Sequence, residues 1–313
     1  MKSLMDAPAI EFRRLVKDYG PNRALDGVDL SVRRGELLGF LGPNGAGKTT
    51  AIRILFDLIR PTSGAALVLG FDCQRQSVEA RRLLGYLPGE LSLYKNLTGQ
   101  GTIDLFRSFR SQYVEDGFLN ALLTRLDLDP TRAVGAYSKG NKQKLGLVLA
   151  IMHRPAVLVL DEPTSGLDPL VQEEVASLLI DLAGEGHAVF FSSHVLSEVE
   201  RMCHRVAFLR EGRLVALEDV ASLKGRSLHV IEVTFAAPIP EDAFALAGVR
   251  EVGREGAVVH LEVRDHLDAA LKTIAKYRVL DLRTEQPSLE EVFRAYYERS
   301  GDGADPGGEP DGT

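Results

Sequence analysis

Short, uninterrupted apolar runs recur along the first two thirds of the chain, and each predicts a buried β-strand. Leu37–Leu41, Val157–Leu160 and Ala188–Phe191 are three such runs. Runs of this length without polar alternation are typical of strands that are covered on both faces of a parallel sheet. Two earlier segments, Ile10–Arg13 and Leu25–Val32, alternate between apolar and polar residues instead. They predict N-terminal strands on either side of a Gly-Pro turn.

The stretches between these strands carry apolar residues at helical spacing. Residues 98–127 place apolar side chains three and four positions apart, and a further helix is predicted up to Met152. Together they predict a helical subdomain at about residues 95–153. Alternating strands and helices predict an α/β fold with a mixed, mostly parallel sheet.

A different pattern begins near residue 225. Leu228–Phe235 and Ala257–Val263 alternate as strands do, and Asp265–Lys276 has helical spacing. Ser288–Arg299 predicts a final helix, in which Ser288 and Glu291 have the spacing of a capping box. This part of the chain is therefore predicted to be a small α+β domain.

The chain is accordingly predicted to divide into two domains and a tail, over residues 8–224, 225–300 and 301–313. The tail is rich in glycine and acidic residues and has nothing to bury, so we expect it to be disordered.

The sequence has 37 lysine and arginine residues against 44 aspartate and glutamate residues, a net charge of −7. This balance argues against nucleic acid as a partner. No apolar run is long enough to predict a membrane span, and the two cysteines, which lack metal-like spacing, suggest a reduced cytoplasm.

The strongest chemical signal is a glycine-rich loop between a predicted strand and a predicted helix. Its glycines permit close backbone approach, and the positive end of the following helix favours an anion. A lysine then supplies charge to phosphates, and a threonine hydroxyl is placed for Mg²⁺. A glycine-rich turn that binds nothing is the alternative, but the flanking elements favour a nucleoside triphosphate site. The loop residues are Gly42, Pro43, Asn44, Gly45, Ala46, Gly47, Lys48, Thr49 and Thr50.

Acidic residues and a histidine follow two of the buried strands. Asp161 and Glu162 end the strand at Val157–Leu160, where one carboxylate can hold Mg²⁺ and the next can polarise an attacking water. Asp168 precedes a proline that starts a helix, which a structural role explains as well as a functional one. His194 follows the next strand, and a lone histidine there is often structural. Its order and spacing after Glu162 favour function.

Two weaker signals lie elsewhere in the first domain. Ser138 begins a helix whose first turn is basic, and Gly140 lies in that turn. Basic residues are unfavourable at a helix N-terminus unless an anion lies there, although Ser138 is also a plausible N-cap. Tyr19 is an aromatic residue that either stacks on adenine or belongs to the core.

These motifs, in this order, resemble the ATP-binding subunit of an ABC transporter over residues 8–220, and the resemblance implies the ABC cassette form of the P-loop fold. It also implies ATP and Mg²⁺ as cofactors and a role for each residue. The roles are adenine stacking for Tyr19, the Walker A loop for Gly42–Thr50, the signature motif for Ser138 and Gly140, magnesium binding for Thr49 and Asp161, the catalytic base for Glu162, the D-loop acid for Asp168 and the switch histidine for His194.

The sequence departs from the family pattern in two places. Its signature motif reads Tyr-Ser-Lys-Gly-Asn, with Lys139 where a glycine is usual. The strand end Tyr86–Pro88 is followed by Gly89 rather than the usual glutamine, and we expect Glu90 to supply a metal or water contact there. Similar departures occur in the drug and antibiotic exporter subfamily of the daunorubicin-resistance type. The segment Gln286–Phe293 also resembles that subfamily.

The resemblance implies an ATP-hydrolysing motor that forms a head-to-tail dimer, either with a second copy or with a close paralogue. An integral-membrane permease encoded separately would bind at residues 95–135, with Glu90 and Tyr94 at the entrance, and hold the protein at the inner face of the cell membrane. Drugs, antibiotics and lipid-like molecules are the expected substrates. A soluble, non-transport ABC ATPase that acts on another macromolecule is the alternative. A third interpretation, a P-loop kinase or a nucleotide switch, explains the phosphate loop but assigns no role to Ser138 or His194.

Overall fold

A computed structural model describes residues 7–110, 113–225, 228–240, 242–264 and 266–285. The chain forms two compact units, the first extending to Asp219 and the second beginning at Val220. The domain boundary expected from the sequence lies a few residues further along the chain. Among the described residues, no helix combines the length and the apolar character needed to cross a bilayer.

The first unit is built around a six-stranded sheet. The strands lie in the order β10-β9-β3-β8-β7-β6, and every neighbouring pair is parallel except β9 and β10. Every residue of β3, β7 and β8 is buried, which explains their uninterrupted apolar runs. The strands are β3 (Leu37–Leu41), β6 (Leu84–Leu87), β7 (Val157–Asp161), β8 (Ala188–Ser193), β9 (Arg205–Arg210) and β10 (Arg213–Asp219).

A second sheet of the first unit is antiparallel and contains the N-terminal strands. Its order is β2-β1-β4-β5. The predicted pair around the Gly-Pro turn is confirmed, with Ile10 opposite Val32 and Tyr19 opposite Asn22. The strands are β1 (Ile10–Tyr19), β2 (Asn22–Val32), β4 (Ser63–Val68) and β5 (Phe71–Asp72).

Seven helices are described in the first unit, and three of them form the helical subdomain. The hydroxyl of Thr98 caps α3 by accepting a hydrogen bond from the Gly101 backbone N–H, and α5 is buried along most of its length. With the mostly parallel sheet, these helices confirm the predicted α/β fold class. The helices are α1 (Lys48–Leu55), α2 (Ser77–Arg82), α3 (Gly99–Ser108), α4 (Asp116–Arg125), α5 (Lys139–Ile151), α6 (Pro169–Gly184) and α7 (Leu196–Met202).

The second unit is α+β, as expected. Its antiparallel sheet has the order β12-β13-β11-β14, and one face packs on α9 through Ala270 and Ile274. The final helix predicted at Ser288–Arg299, its capping box and the acidic tail lie outside the described residues. The elements are α8 (Val220–Gly225), β11 (Leu228–Phe235), β12 (Val249–Glu255), β13 (Val258–Arg264), α9 (Leu267–Ile274) and β14 (Val279–Glu285).

Candidate active site

The glycine-rich loop runs from the end of β3 to the start of α1, as its motif predicts. Gly47 has a φ of +108°, in the left-handed region that favours glycine. A Cβ added there would lie 2.4 Å from the carbonyl oxygen of Ala24, and one added at Gly42 would lie 2.3 Å from that of Leu209. The close approach of neighbouring backbone therefore requires glycine at both positions.

Lys48 is the first residue of α1, and its side chain is buried inside the loop. The ammonium group donates hydrogen bonds to the carbonyl oxygens of Gly42, at 2.5 Å, and Pro43, at 3.0 Å. Burial lowers the pKa of Lys48 below its ordinary value, while the carboxylates of Glu162 and Asp161 oppose that shift. The ammonium can bind an anion, and the carboxylates beside it are suited to a divalent cation that accompanies that anion.

Loop and acidic residues line one cavity of about 170 Å³. Pockets that hold a drug-sized ligand have volumes of about 300 to 1,000 Å³, so this cavity suits the phosphate chain of a nucleotide rather than the whole molecule. Most of the predicted loop residues and both acids therefore face the same space. The lining residues are Ala24, Asn44, Gly45, Ala46, Gly47, Lys48, Thr49, Thr50, Asp161 and Glu162.

Asp161 ends β7 and is buried between two hydroxyl groups. Thr49 Oγ1 donates to Asp161 Oδ2 at 3.2 Å, and Ser192 Oγ of the adjacent strand β8 donates to Oδ1. The described residues contain no group of three or more His, Cys, Asp or Glu side chains that could hold a metal by themselves. Because Mg²⁺ is usually bound by one or two carboxylates together with phosphate oxygens, Thr49 and Asp161 fit a magnesium ion shared with a nucleotide.

Glu162 and His194 form a direct contact at the edge of this cavity. His194 Nδ1 lies 2.9 Å from Glu162 Oε1, and both side chains are partly exposed. Glu162 has a φ of +52°, which is uncommon for a residue other than glycine, and its backbone N–H donates to the Ser192 carbonyl oxygen at 3.2 Å. Backbone conformations of this kind are found preferentially at functional sites.

The predicted signature residues lie at the start of α5. Ser138 Oγ accepts a hydrogen bond from the Asn141 N–H at 3.1 Å, which bears out its reading as an N-cap. Further along α5, Gln143 Nε2 donates to the carbonyl oxygens of Glu162, at 3.1 Å, and Pro163, at 3.2 Å. The helix that begins with the predicted signature residues is therefore hydrogen-bonded to the segment that follows Asp161.

The predicted D-loop residue also caps a helix. Asp168 Oδ1 accepts from the Val171 N–H at 3.0 Å at the start of α6. Of the described residues, those that line the loop cavity do not include Asp168, Ser138 or Gly140. None of these three predicted nucleotide contacts therefore belongs to the described lining of the cavity that the phosphate loop forms.

Tyr19 and Glu90 are likewise absent from the residues described as lining the cavity. Tyr19 ends β1, is partly exposed, and has the ammonium of Lys17 at 5.0 Å from its ring centroid. Glu90 is exposed. Its neighbour Gly89 approaches Asp161 instead, since a Cβ added at Gly89 would lie 3.2 Å from Asp161 Oδ2.

Three polar residues that contact the site or the segments that carry it were not predicted to belong to it: Ser192, Gln143 and Glu198. Each is buried. A serine within an otherwise apolar strand, and a carboxylate on the apolar side of α7, were the available signals, because buried polar groups need partners. Those partners could not be identified until the adjacent strands were known.

Comparison with known proteins gives consistent matches. The ABC transporter family model matches residues 25–165. The daunorubicin resistance ATP-binding protein of Streptomyces coeruleorubidus is 36% identical over 307 residues, covering 92% of this chain and 95% of that protein. The bacitracin transport ATP-binding protein of Bacillus licheniformis is 36% identical over 291 residues, covering 89% and 94%.

Solved structures show the same fold. The structure of an ATP-binding subunit of an ABC transporter matches with a TM-score of 0.65 and 29% identity, covering 69% of this chain and 92% of that chain. A bacterial ABC transporter cassette solved as a dimer matches with a TM-score of 0.62 and 24% identity, covering 67% and 98%.

Proposed function

This chain belongs to the ATP-binding subunits of ABC transporters and is an ATP hydrolase, and from that premise we propose that it drives an export system for a drug, antibiotic or lipid-like molecule. The family and the enzyme class follow from the comparisons. The names of two relatives, which refer to daunorubicin resistance and to bacitracin transport, support this class of substrate.

We propose that two copies, or one copy and a close paralogue, bind ATP between them in a head-to-tail dimer. The phosphate-loop cavity suits only part of a nucleotide, and Ser138 and Gly140 are not among its described lining residues. Ser138 stands at the N-terminus of α5, where an anion is favoured and where the basic Lys139 is otherwise unfavourable. A γ-phosphate presented by a second chain satisfies both sites, and the dimeric cassette of the same fold supports this arrangement.

In this proposal, Lys48 and the loop N–H groups bind the phosphates, while Glu162 orients the attacking water and accepts its proton. His194 holds the Glu162 carboxylate through the 2.9 Å contact and faces the γ-phosphate. Bound Mg²⁺, for which Thr49 and Asp161 are suitable ligands, would neutralise charge that develops on the phosphates. These residues position groups and stabilise charge, which is most of what phosphoryl transfer requires.

We further propose that a separate permease binds the helical subdomain and holds the protein at the inner face of the cell membrane. Three aromatic side chains in or next to this subdomain are strongly exposed, Tyr94 at 67%, Phe109 at 74% and Tyr113 at 83%. Exposed aromatic residues are enriched at protein interfaces. Glu90→Arg combined with Tyr94→Ala should reduce co-purification with the permease, and undiminished co-purification would count against this surface.

The observation that carries the proposal is the Glu162–His194 contact beside the cavity that contains Lys48 and Asp161. Glu162→Gln should lower the rate of ATP hydrolysis by about 10²- to 10⁴-fold, the usual contribution of a general base. ATP binding should persist because the phosphate loop is intact. Glu173→Gln, which changes an exposed residue of α6, is the matched control and should hydrolyse ATP at the parental rate. A Glu162→Gln variant with parental hydrolysis would remove Glu162 from the mechanism.

A further inference from the structure

A buried carboxylate is hydrogen-bonded to both segments that carry the Glu162–His194 contact. Glu198, on α7, is 9% exposed, and each of its oxygens is held by a hydroxyl group. Thr164 Oγ1 donates to Oε1 at 2.5 Å, and Ser193 Oγ donates to Oε2 at 2.7 Å. Burying a carboxylate is costly unless its hydrogen bonds are satisfied. Packing alone therefore does not explain why a carboxylate, rather than an apolar side chain, is buried at this position.

The two hydroxyl groups come from the two segments that carry the candidate catalytic residues. Thr164 follows Glu162 by two residues, and Ser193 immediately precedes His194. Ser193 Oγ also accepts a hydrogen bond from the Val195 N–H at 2.9 Å, so it fixes the backbone on both sides of the histidine. Glu198 thus joins the loop after β7 to the loop after β8.

The helix that carries Glu198 is itself firmly placed against the central sheet. A Cβ added at Gly39 of β3 would lie 2.8 Å from Val199 Cγ1 and 3.0 Å from Cys203 Sγ, so α7 packs directly on the strand backbone. Just after α7, His204 Nδ1 accepts a hydrogen bond from the Leu37 N–H at 2.9 Å. Glu198 consequently has a rigid base from which to position the two loops.

We propose that Glu198 is a positioning residue for ATP hydrolysis, which locks the Thr164 segment to the Ser193 segment and so sets the contact between Glu162 and His194. The inference rests on the proposed function, because it requires Glu162 and His194 to act on the nucleotide. Glu198 itself contacts neither of their side chains in the hydrogen bonds described, and it acts through Thr164 and Ser193. A displacement of a catalytic group by about 1 Å can lower the reaction rate by about 10²-fold.

The first test is a pair of substitutions at Glu198 with kcat, KM and ATP affinity measured separately. Glu198→Met removes both acceptors at similar size and should lower kcat by about 10- to 100-fold, with little change in ATP affinity. Glu198→Gln keeps one acceptor oxygen, and its amide group can donate to the second hydroxyl oxygen. It should therefore restore most of kcat. Arg201→Met removes an exposed charged side chain from the same helix and should behave as the parent.

Thr164→Val is a second test of the positioning role, and it applies even if Glu198→Met fails to fold. It leaves the carboxylate in place, removes one of its two donors at similar volume, and should also lower kcat without weakening ATP binding. In the Glu162→Gln background, Thr164→Val and Glu198→Met should cause no further loss, because groups that act through one another are not additive.

The two proposals fail in different ways. Parental kcat in Thr164→Val or in a folded Glu198→Met, with Glu162→Gln slow, would overturn the positioning role alone. A full additional loss in the Glu162→Gln background would also overturn it. Parental hydrolysis in Glu162→Gln would overturn the proposed catalytic assignment on which this inference rests.

Discussion

At the scale of single residues, Lys48 is the clearest anion-binding group of the phosphate loop. Its ammonium is buried against the carbonyl oxygens of Gly42 and Pro43 and near the carboxylates of Asp161 and Glu162. Hydrogen bonds to a charged group contribute about 1.5 to 3 kcal/mol to stability. Removing one partner and leaving a buried polar group unpaired costs more than replacing both partners by apolar groups. The same side chain therefore supports both the loop and its ligand.

Lys48→Met should weaken ATP binding by about 10- to 100-fold, because the charge-assisted contact to phosphate is lost. Nucleotide titration followed by fluorescence or calorimetry measures this change. Lys95→Met, which removes an exposed lysine, should bind ATP as the parent does. Equal affinity in all three proteins would show that Lys48 does not contact the nucleotide.

His153, just after α5, is a buried residue outside the site whose titration affects stability. Burial and the charge of Arg110 lower its pKa from 6.5 to about 4, although the hydrogen bond with the Leu84 carbonyl opposes the shift. Its Nδ1 has no hydrogen-bond partner among the residues that the structure describes. The unfolded chain therefore binds more protons than the folded chain between pH 6.5 and 4, and the free energy of unfolding falls as the pH is lowered through that range.

Between pH 7 and pH 5 this histidine should account for a loss of about 2 kcal/mol in the free energy of unfolding. Urea unfolding at the two pH values measures it. His153→Met should remove that part of the pH dependence, whereas His266→Met, at an exposed histidine, should retain it. An identical loss in the parent and in His153→Met would contradict the assignment.

At the residue scale, the sequence predicted the groups that belong to a motif and missed polar groups that have no motif of their own. The loop residues could be named because strand, loop and helix are contiguous, and Asp161 because it ends a buried apolar run. Ser192, Gln143 and Glu198 form hydrogen bonds with Asp161, Glu162 and Thr164, which lie 19 to 34 residues away along the chain. Their contacts depend on which strands are adjacent, which a local pattern does not state.

At the scale of elements, α4 and α6 are joined by one arginine. Arg125 Nη1 lies 2.8 Å from Asp181 Oδ2, Nη2 donates to Ser177 Oγ at 2.8 Å, and Nε donates to Glu174. The Arg125 side chain is 29% exposed, so these interactions are less screened than those of a fully exposed pair. They connect the helical subdomain to the helix that Asp168 caps.

Arg125→Met should lower the free energy of unfolding by about 1 to 2 kcal/mol, more than a single exposed pair contributes. The loss should shrink at high salt, because partly exposed charges are screened. Urea unfolding at two salt concentrations tests both points. Arg13→Met breaks the pair with Glu11, in which Arg13 is 59% exposed, and should change stability by less than about 1 kcal/mol. Equal effects of the two substitutions would contradict the proposed link.

The elements themselves could be predicted where the apolar pattern was strong. β3, β7, β8 and β11 match their predicted segments closely, since burial on one or both faces fixes the pattern. The strand β4 was missed because it begins at Ser63 and Gly64, and serine and glycine are typical of turns. β12 and β14 are edge strands with exposed residues, and half-buried edges leave a weak signal.

At the scale of the whole molecule, the proposed reaction requires a second chain. The predicted phosphate contacts divide into two sets. Lys48 and the loop line one cavity, whereas Ser138, Gly140 and Asp168 are not among the residues described as lining it. The head-to-tail dimer proposed above would bring the two sets to one ATP, and differential affinity for ATP over ADP would then make the association reversible.

The most direct test is the molar mass of Glu162→Gln in solution, measured by size exclusion with light scattering, with and without Mg-ATP. We predict a monomer near 34.2 kDa without nucleotide and a dimer of twice that mass with Mg-ATP. Adding Ser138→Arg should abolish the dimer, because the side chain would occupy the place of the phosphate contact. A Glu162→Gln chain that binds Mg-ATP and remains a monomer would contradict a composite site built from two copies of this chain.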